Sequence, residues 1–189
     1  MPFFDDALHY QQRGASLLLG QRILQLWPKD RDVAIVCVGT DRSTGDSLGP
    51  LVGDFLRDAG VTCAHGTLQD PIHAANIVEE LPSITAGKWT LAVDSCLGRM
   101  ATVGFVSVLP IPLSPGSGVN RCVTKFGDAS ITGTVNVGGF MEYFVLQNTR
   151  LSLVMGMAHV IADAIYLAAL EHGFVNEVAG GKLYAVQAR

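Results

Sequence analysis

The sequence predicts an α/β fold, a three-layer αβα sandwich around a mostly parallel sheet. Three observations point there. Short apolar runs that read as strands alternate along the chain with helical stretches. The first run, Val33 to Val38, is apolar throughout, as in a strand buried on both faces. It ends at Gly39 in a polar loop, Thr40 to Ser47, and a helical pattern starts at Leu48. Strand, glycine-bounded loop and helix in succession build sites at the carboxyl end of a strand in open α/β sheets.

The chain has 189 residues, enough for one domain over 1–189, with an N-terminal helix at about 5–27 and a core at about 31–172. Hydrophobic residues make up 49% and charged residues 16%, which supplies a large core and excludes a disordered chain. A net charge of -4 gives no electrostatic case for nucleic acid. Cys37, Cys63, Cys96 and Cys122 are far apart and form no C-x-x-C, so reduced thiols in a cytoplasmic protein are expected. Asp5 and Asp6 stand where a signal peptide would be basic and then apolar. Leu151 to Leu170 is long enough to span a bilayer, but His159 and Asp163 lie inside it. An ionised carboxylate at mid-membrane costs about 2.5–3.5 kcal/mol. No membrane association is expected; the helix is read as core or as the contact of a homodimer.

In chain order, Leu8, Leu17, Leu18, Ile23, Leu24 and Trp27 give the first helix its apolar face, and Pro28 stops it. After the strand at Val33, Leu48 to Asp58 reads as a helix through Leu48, Leu51, Val52, Phe55 and Leu56. Val61 to His65 is a short strand. Asp70-Pro71 predicts the next helix start, which would put His73 in its first turn. Trp89 to Val93 is a strand with Asp94 at its end, followed by a loop from Ser95 to Arg99. Val103 to Leu109 is a further strand. Pro110 to Val123 is a long loop with the reach of a lid. Ser130 to Val137 alternates as a strand, Phe140 to Gln147 reads as a short helix, and Leu151 to His172 as the last one. Leu183 to Val186 suits an edge strand.

Parallel strands joined by right-handed crossovers share one carboxyl edge. That edge gathers Asp46, His73 and Asp94. Two carboxylates brought close cannot both ionise freely, so one pKa rises. Such a pair can hold one proton, activate water with its charged member and protonate a leaving group with the other. The same pair could instead take a divalent metal, or be an inert sheet edge.

The segments GTDRSTGDSLGPLVGDFL, GTLQDPIHAAN, VDSCLGR, PLSPGSGV and DASITGTVNVGGFMEYFVLQNTRLSLVMGMA resemble, in order, the YyaC family of sporulation proteins. The resemblance spans about residues 31 to 165. This family is similar, more distantly, to the germination protease that cleaves small acid-soluble spore proteins and to the hydrogenase maturation endopeptidases. The resemblance implies their αβα sandwich. It also implies that Asp46 in DSLGP and Asp94 in VDSCLG match the paired aspartates of the germination protease. In the hydrogenase endopeptidases that pair, with a later histidine, recognises nickel in the substrate. Here no histidine follows Asp94 before His159, so no metal and no cofactor are expected.

The function implied is a sporulation-associated peptidase in the cytoplasm of the sporulating cell. It would cleave a protein or peptide substrate with Asp46 and Asp94 as the catalytic pair. Asp41, Ser47, His73, Ser95 and Cys96 would support the pair or bind substrate. The alternative is a non-catalytic peptide-binding or regulatory protein on the same fold, using the SPGSGVN loop. A thiol hydrolase with Cys96 as nucleophile and His73 as base is disfavoured, because Asp94 would raise the thiol pKa. A phosphate site at the Leu48 helix is disfavoured by the charges of Asp41 and Asp46.

Overall fold

A computed structural model describes residues 7–115 and 125–176. Six strands form one mixed sheet in the order β1-β5-β6-β4-β2-β3. They are β1 (Leu8–His9), β2 (Val33–Cys37), β3 (Ala64–His65), β4 (Trp89–Gly98), β5 (Phe105–Leu109) and β6 (Ala129–Val137). The helices are α1 (Ala15–Leu26), α2 (Leu48–Asp58), α3 (Ile77–Thr85), α4 (Glu142–Gln147) and α5 (Leu151–Glu171). The four strands β6, β4, β2 and β3 run parallel, while β5 is antiparallel to both β6 and β1.

Two apolar clusters make the three layers. On one face of the sheet, Ile35, Cys37, Leu91, Val93 and Ile131 pack with α1, α2 and α5. On the other, Val36, Val38 and Ala92 pack with Ile77, Leu81 and Ile84 of α3 and with Leu113. All five residues of β2 are buried, as its unbroken apolar run requires. Helix α5 is long and apolar enough to cross a membrane by length and composition alone. Most of it is buried in the fold, with Val154, Met157, Ile161 and Ile165 fully covered.

Several expectations change. The N-terminal helix begins at Ala15, because Gly14 takes a left-handed φ of 76° and ends the turn before it. Leu8 and His9 instead pair with β5. The strand read from Val103 begins at Phe105, runs antiparallel to β6, and is preceded by a 3-10 turn at Met100–Thr102. Ser95 to Gly98 is strand, not loop, because β6 continues beside it to Val137. Asp70-Pro71 starts no helix. Ile72 bridges Val38 in parallel, and the helix begins at Ile77. Asn76 wins the start because its Oδ1 takes the His73 N–H at 2.8 Å and its Nδ2 donates to the Pro71 carbonyl at 3.0 Å. The proposed strand at Leu183 to Val186, the residues before Ala7 and most of the SPGSGVN loop lie outside the described residues.

Candidate active site

The chain leaves β2 for β3 on one side and returns through α3 to β4 on the other. The carboxyl ends of β2 and β4 therefore flank the place where strand order reverses, where open α/β sheets bind ligands. Pairing of β2 with β4 stops at Cys37 and Val93. From Asp94 onward β4 has only β6 beside it, opposite Thr132. Asp94 thus sits at the first position past its neighbour's end, in strand geometry but at the sheet's edge.

Asp46 reaches the same place from the β2–α2 loop. Residues Gly45–Ser47 form a 3-10 turn leading into α2. The Asp46 N–H donates to the Ser43 carbonyl, and the Asp46 carbonyl accepts the Thr40 N–H, both at 3.0 Å. The Ser47 hydroxyl donates to the Thr44 carbonyl at 2.7 Å. That bond spends Ser47 on loop shape, and the residue is buried.

Asp46 and Asp94 line one cleft of about 440 Å³, together with Ser95, Cys96, Ser130 and Thr132. Leu109 and Ile111 to Ser114 form one wall, and Glu142 and Leu146 of α4 belong to another. Ser95 ties the carboxylates together. Its N–H donates to Asp94 Oδ1 at 2.7 Å, and its hydroxyl reaches Asp46 Oδ1 at 3.5 Å.

Burial pushes the Asp94 pKa well above the usual carboxylate range, and the charge of Asp46 pushes it further; only the Ser95 N–H opposes them. Burial also raises Asp46, but the Ser95 hydroxyl and the nearby His73 pull it back. The pair therefore favours a proton on Asp94 and a charge on Asp46, with its apparent pKa values belonging to both groups together. Replacing His73 by Ala should raise the lower of the two apparent pKa values. A carboxyl-carbon NMR titration checks this, and an unchanged value would remove His73 from the site.

The remaining predicted residues divide. His73 is near enough to act on Asp46 electrostatically, though it precedes α3 rather than sitting in its first turn. Its Nδ1 accepts the Ala75 N–H at 3.3 Å. Asp41 is exposed, 3.4 Å from the Thr40 hydroxyl, and does not line the cleft. Cys96 lines the cleft with Sγ 3.5 Å from Thr134 Oγ1, and burial raises its thiol pKa, the opposite of an activated nucleophile. His159 instead packs on Phe55, with ring centroids 4.4 Å apart. Among the described residues, no three His, Cys, Asp or Glu side chains are grouped to hold a metal ion.

Residues 7–164 match the family described as protein of unknown function, DUF1256. The chain belongs to this family. It is 50% identical over 142 residues to the uncharacterized protein YyaC of Bacillus subtilis, covering 72% of this chain and 69% of that one. The crystal structure of the [NiFe] hydrogenase maturation protease HycI from Thermococcus kodakarensis superposes with a TM-score of 0.55 at 15% identity. The match covers 78% of this chain and 97% of that one. At that identity the likeness shows a shared fold. The cleft of this DUF1256 chain also holds residues that motif reading passed over: Ser130, Thr132, Glu142 and Leu146. Ser130 and Thr132 were findable. They alternate on β6, and Thr132 stands opposite Asp94.

Proposed function

We propose that this protein is a peptidase that hydrolyses a protein substrate with Asp46 and Asp94 as a proton-sharing pair. One observation carries the reading: two carboxylates of unequal burial, bridged by Ser95, line the cleft at the sheet's switch point. The fold shared with a maturation protease supports it. The role in sporulation and the cytoplasmic setting follow the YyaC resemblance and belong to the same proposal.

The chemistry balances within the pair. Charged Asp46 takes a proton from water as the water oxygen bonds to the amide carbon. Asp94 gives its proton to the departing nitrogen as the carbon–nitrogen bond breaks. Asp46 ends protonated and Asp94 charged, and one proton exchange restores the start. Positioned general acid–base catalysis contributes about 10²–10⁴-fold for each such group.

The test is incubation of the purified protein with a proteome-derived peptide mixture, with new termini read by mass spectrometry. Wild type should generate a consistent set that Asp46→Asn and Asp94→Asn both lack. The rate should be bell-shaped in pH. Its acid limb should lie above the usual carboxylate range because both pKa values are raised. Cleavage that survives in both Asn variants would end the aspartate mechanism.

A further inference from the structure

The cleft has a chemical bias that the aspartate pair does not explain. Besides Asp46 and Asp94 it is lined by a third carboxylate, Glu142, and by no described Lys, Arg or His. Glu142 opens α4. One of its oxygens accepts the Gly139 N–H at 3.0 Å. Its place on the cleft wall leaves its charge available to a ligand there. At the floor, Ser130 is only 3% exposed, yet it lines the cleft.

The outer side of the same wall is apolar. Phe140 is 86% exposed, Tyr143 59%, and Met141 and Phe144 are about as open as Tyr143. Large apolar side chains crowded at one exposed turn mark an interaction surface. Met141 is the one non-glycine residue with positive φ among the described residues, at φ 54° and ψ 44°. Left-handed backbone is unfavourable at a residue without a short polar side chain. Here it sits at the turn that carries Phe140 outside and Glu142 toward the cleft.

We propose that α4 and its entry turn form a substrate-reading wall, which binds an extended, apolar protein segment carrying a basic side chain. The basic group faces Glu142, and apolar side chains lie against Phe140, Tyr143 and Phe144. The segment's main chain passes over Ser130 at the cleft floor. Charge complementarity and continuity with the cleft fix this occupant: a cleft with three carboxylates repels an acidic segment. The inference rests on the peptidase reading for its biological setting, but it concerns binding alone.

The test uses three short fluorescein-labelled peptides of one Leu/Ala sequence with Lys, Gln or Glu at the centre. Binding is read by fluorescence anisotropy. The Lys peptide should bind about two- to fivefold tighter than the Glu peptide, the scale of one partly exposed charge pair. Glu142→Gln, which can keep the Gly139 hydrogen bond, should shrink that ratio. Phe140→Ala, at an exposed site, should weaken all three peptides alike and keep the ratio. Equal binding of the Lys and Glu peptides, a ratio unchanged in Glu142→Gln, or no measurable binding overturns the inference. Selective binding without cleavage would leave it standing and remove the peptidase reading instead.

Discussion

Asp94→Asn should inactivate the protein and make it more stable. The loss of activity follows from removing the proton that Asp94 would deliver, on the order of 10³-fold or more. The gain in stability follows from burial. Asp94 is 7% exposed, and its folded-state pKa is raised by desolvation and by Asp46. An unfolded Asp titrates near about 3.9. Above that pH the unfolded chain sheds the proton while the folded chain keeps it, so the folded state binds more protons. Stability then falls as pH rises, from about pH 4 up to the folded pKa, at about 1.4 kcal/mol per pH unit for one proton. Asn has the same shape and can still accept the Ser95 N–H, but it has no proton to lose. Wild type and variant should therefore be alike near pH 4 and diverge toward neutral pH, with the variant higher. In a domain of this size each kcal/mol corresponds to about 2–4 °C in Tm. Thermal melts of both proteins across that pH range check it. A variant that melts below wild type at pH 7 would mean that Asp94 is held ionised by something the cleft geometry does not contain.

How far the sequence could be read depended on the range of the forces involved. The β2–loop–α2 unit was legible because its determinants are local: an apolar run, a glycine, a polar loop and helical spacing within Val33 to Asp58. Asp46 and Asp94 could be singled out for the same reason, as carboxylates directly after buried runs. The start of α3 was misread because two local signals competed. Asp70-Pro71 is a good helix opener, but the pairing of Ile72 with Val38 holds that stretch extended. Tertiary pairing overrode local preference, and Asn76 took the turn. The length of β4 was hidden for a related reason. Ser95 to Gly98 has Gly and Ser signals of a loop, yet β6 supplies partners as far as Val137. Glu142 and Ser130 lie about 50 and 40 residues beyond Asp94 in sequence, and only the sheet order and the position of α4 bring them to its cleft.

Gly39→Ala should cost more stability than any other small-residue change in the site loop, and the reason ties the loop to the chemistry. Gly39 has φ 145°, which L side chains rarely adopt. A Cβ there would lie 2.0 Å from the Asp46 carbonyl oxygen and 2.9 Å from Pro50 Cδ. Both neighbours are constrained, because the Asp46 carbonyl accepts the Thr40 N–H and Pro50 sits buried in the first turn of α2. The carbonyl must move, and it belongs to the residue proposed to activate water. Gly14→Ala is the internal reference. That glycine has φ 76° and nothing within 4 Å of a Cβ, so its substitution registers backbone strain alone, about 1–2 kcal/mol. Gly39→Ala adds a clash with fixed backbone, for a total on the order of 3–5 kcal/mol. Urea denaturation should give a much lower midpoint for Gly39→Ala than for Gly14→Ala at similar slope. The folded fraction of Gly39→Ala should also lose the coupled titration of the aspartate pair, which Gly14→Ala should keep. Equal losses in the two variants would show that the β2 turn yields freely, and that the position of Asp46 is not set by Gly39.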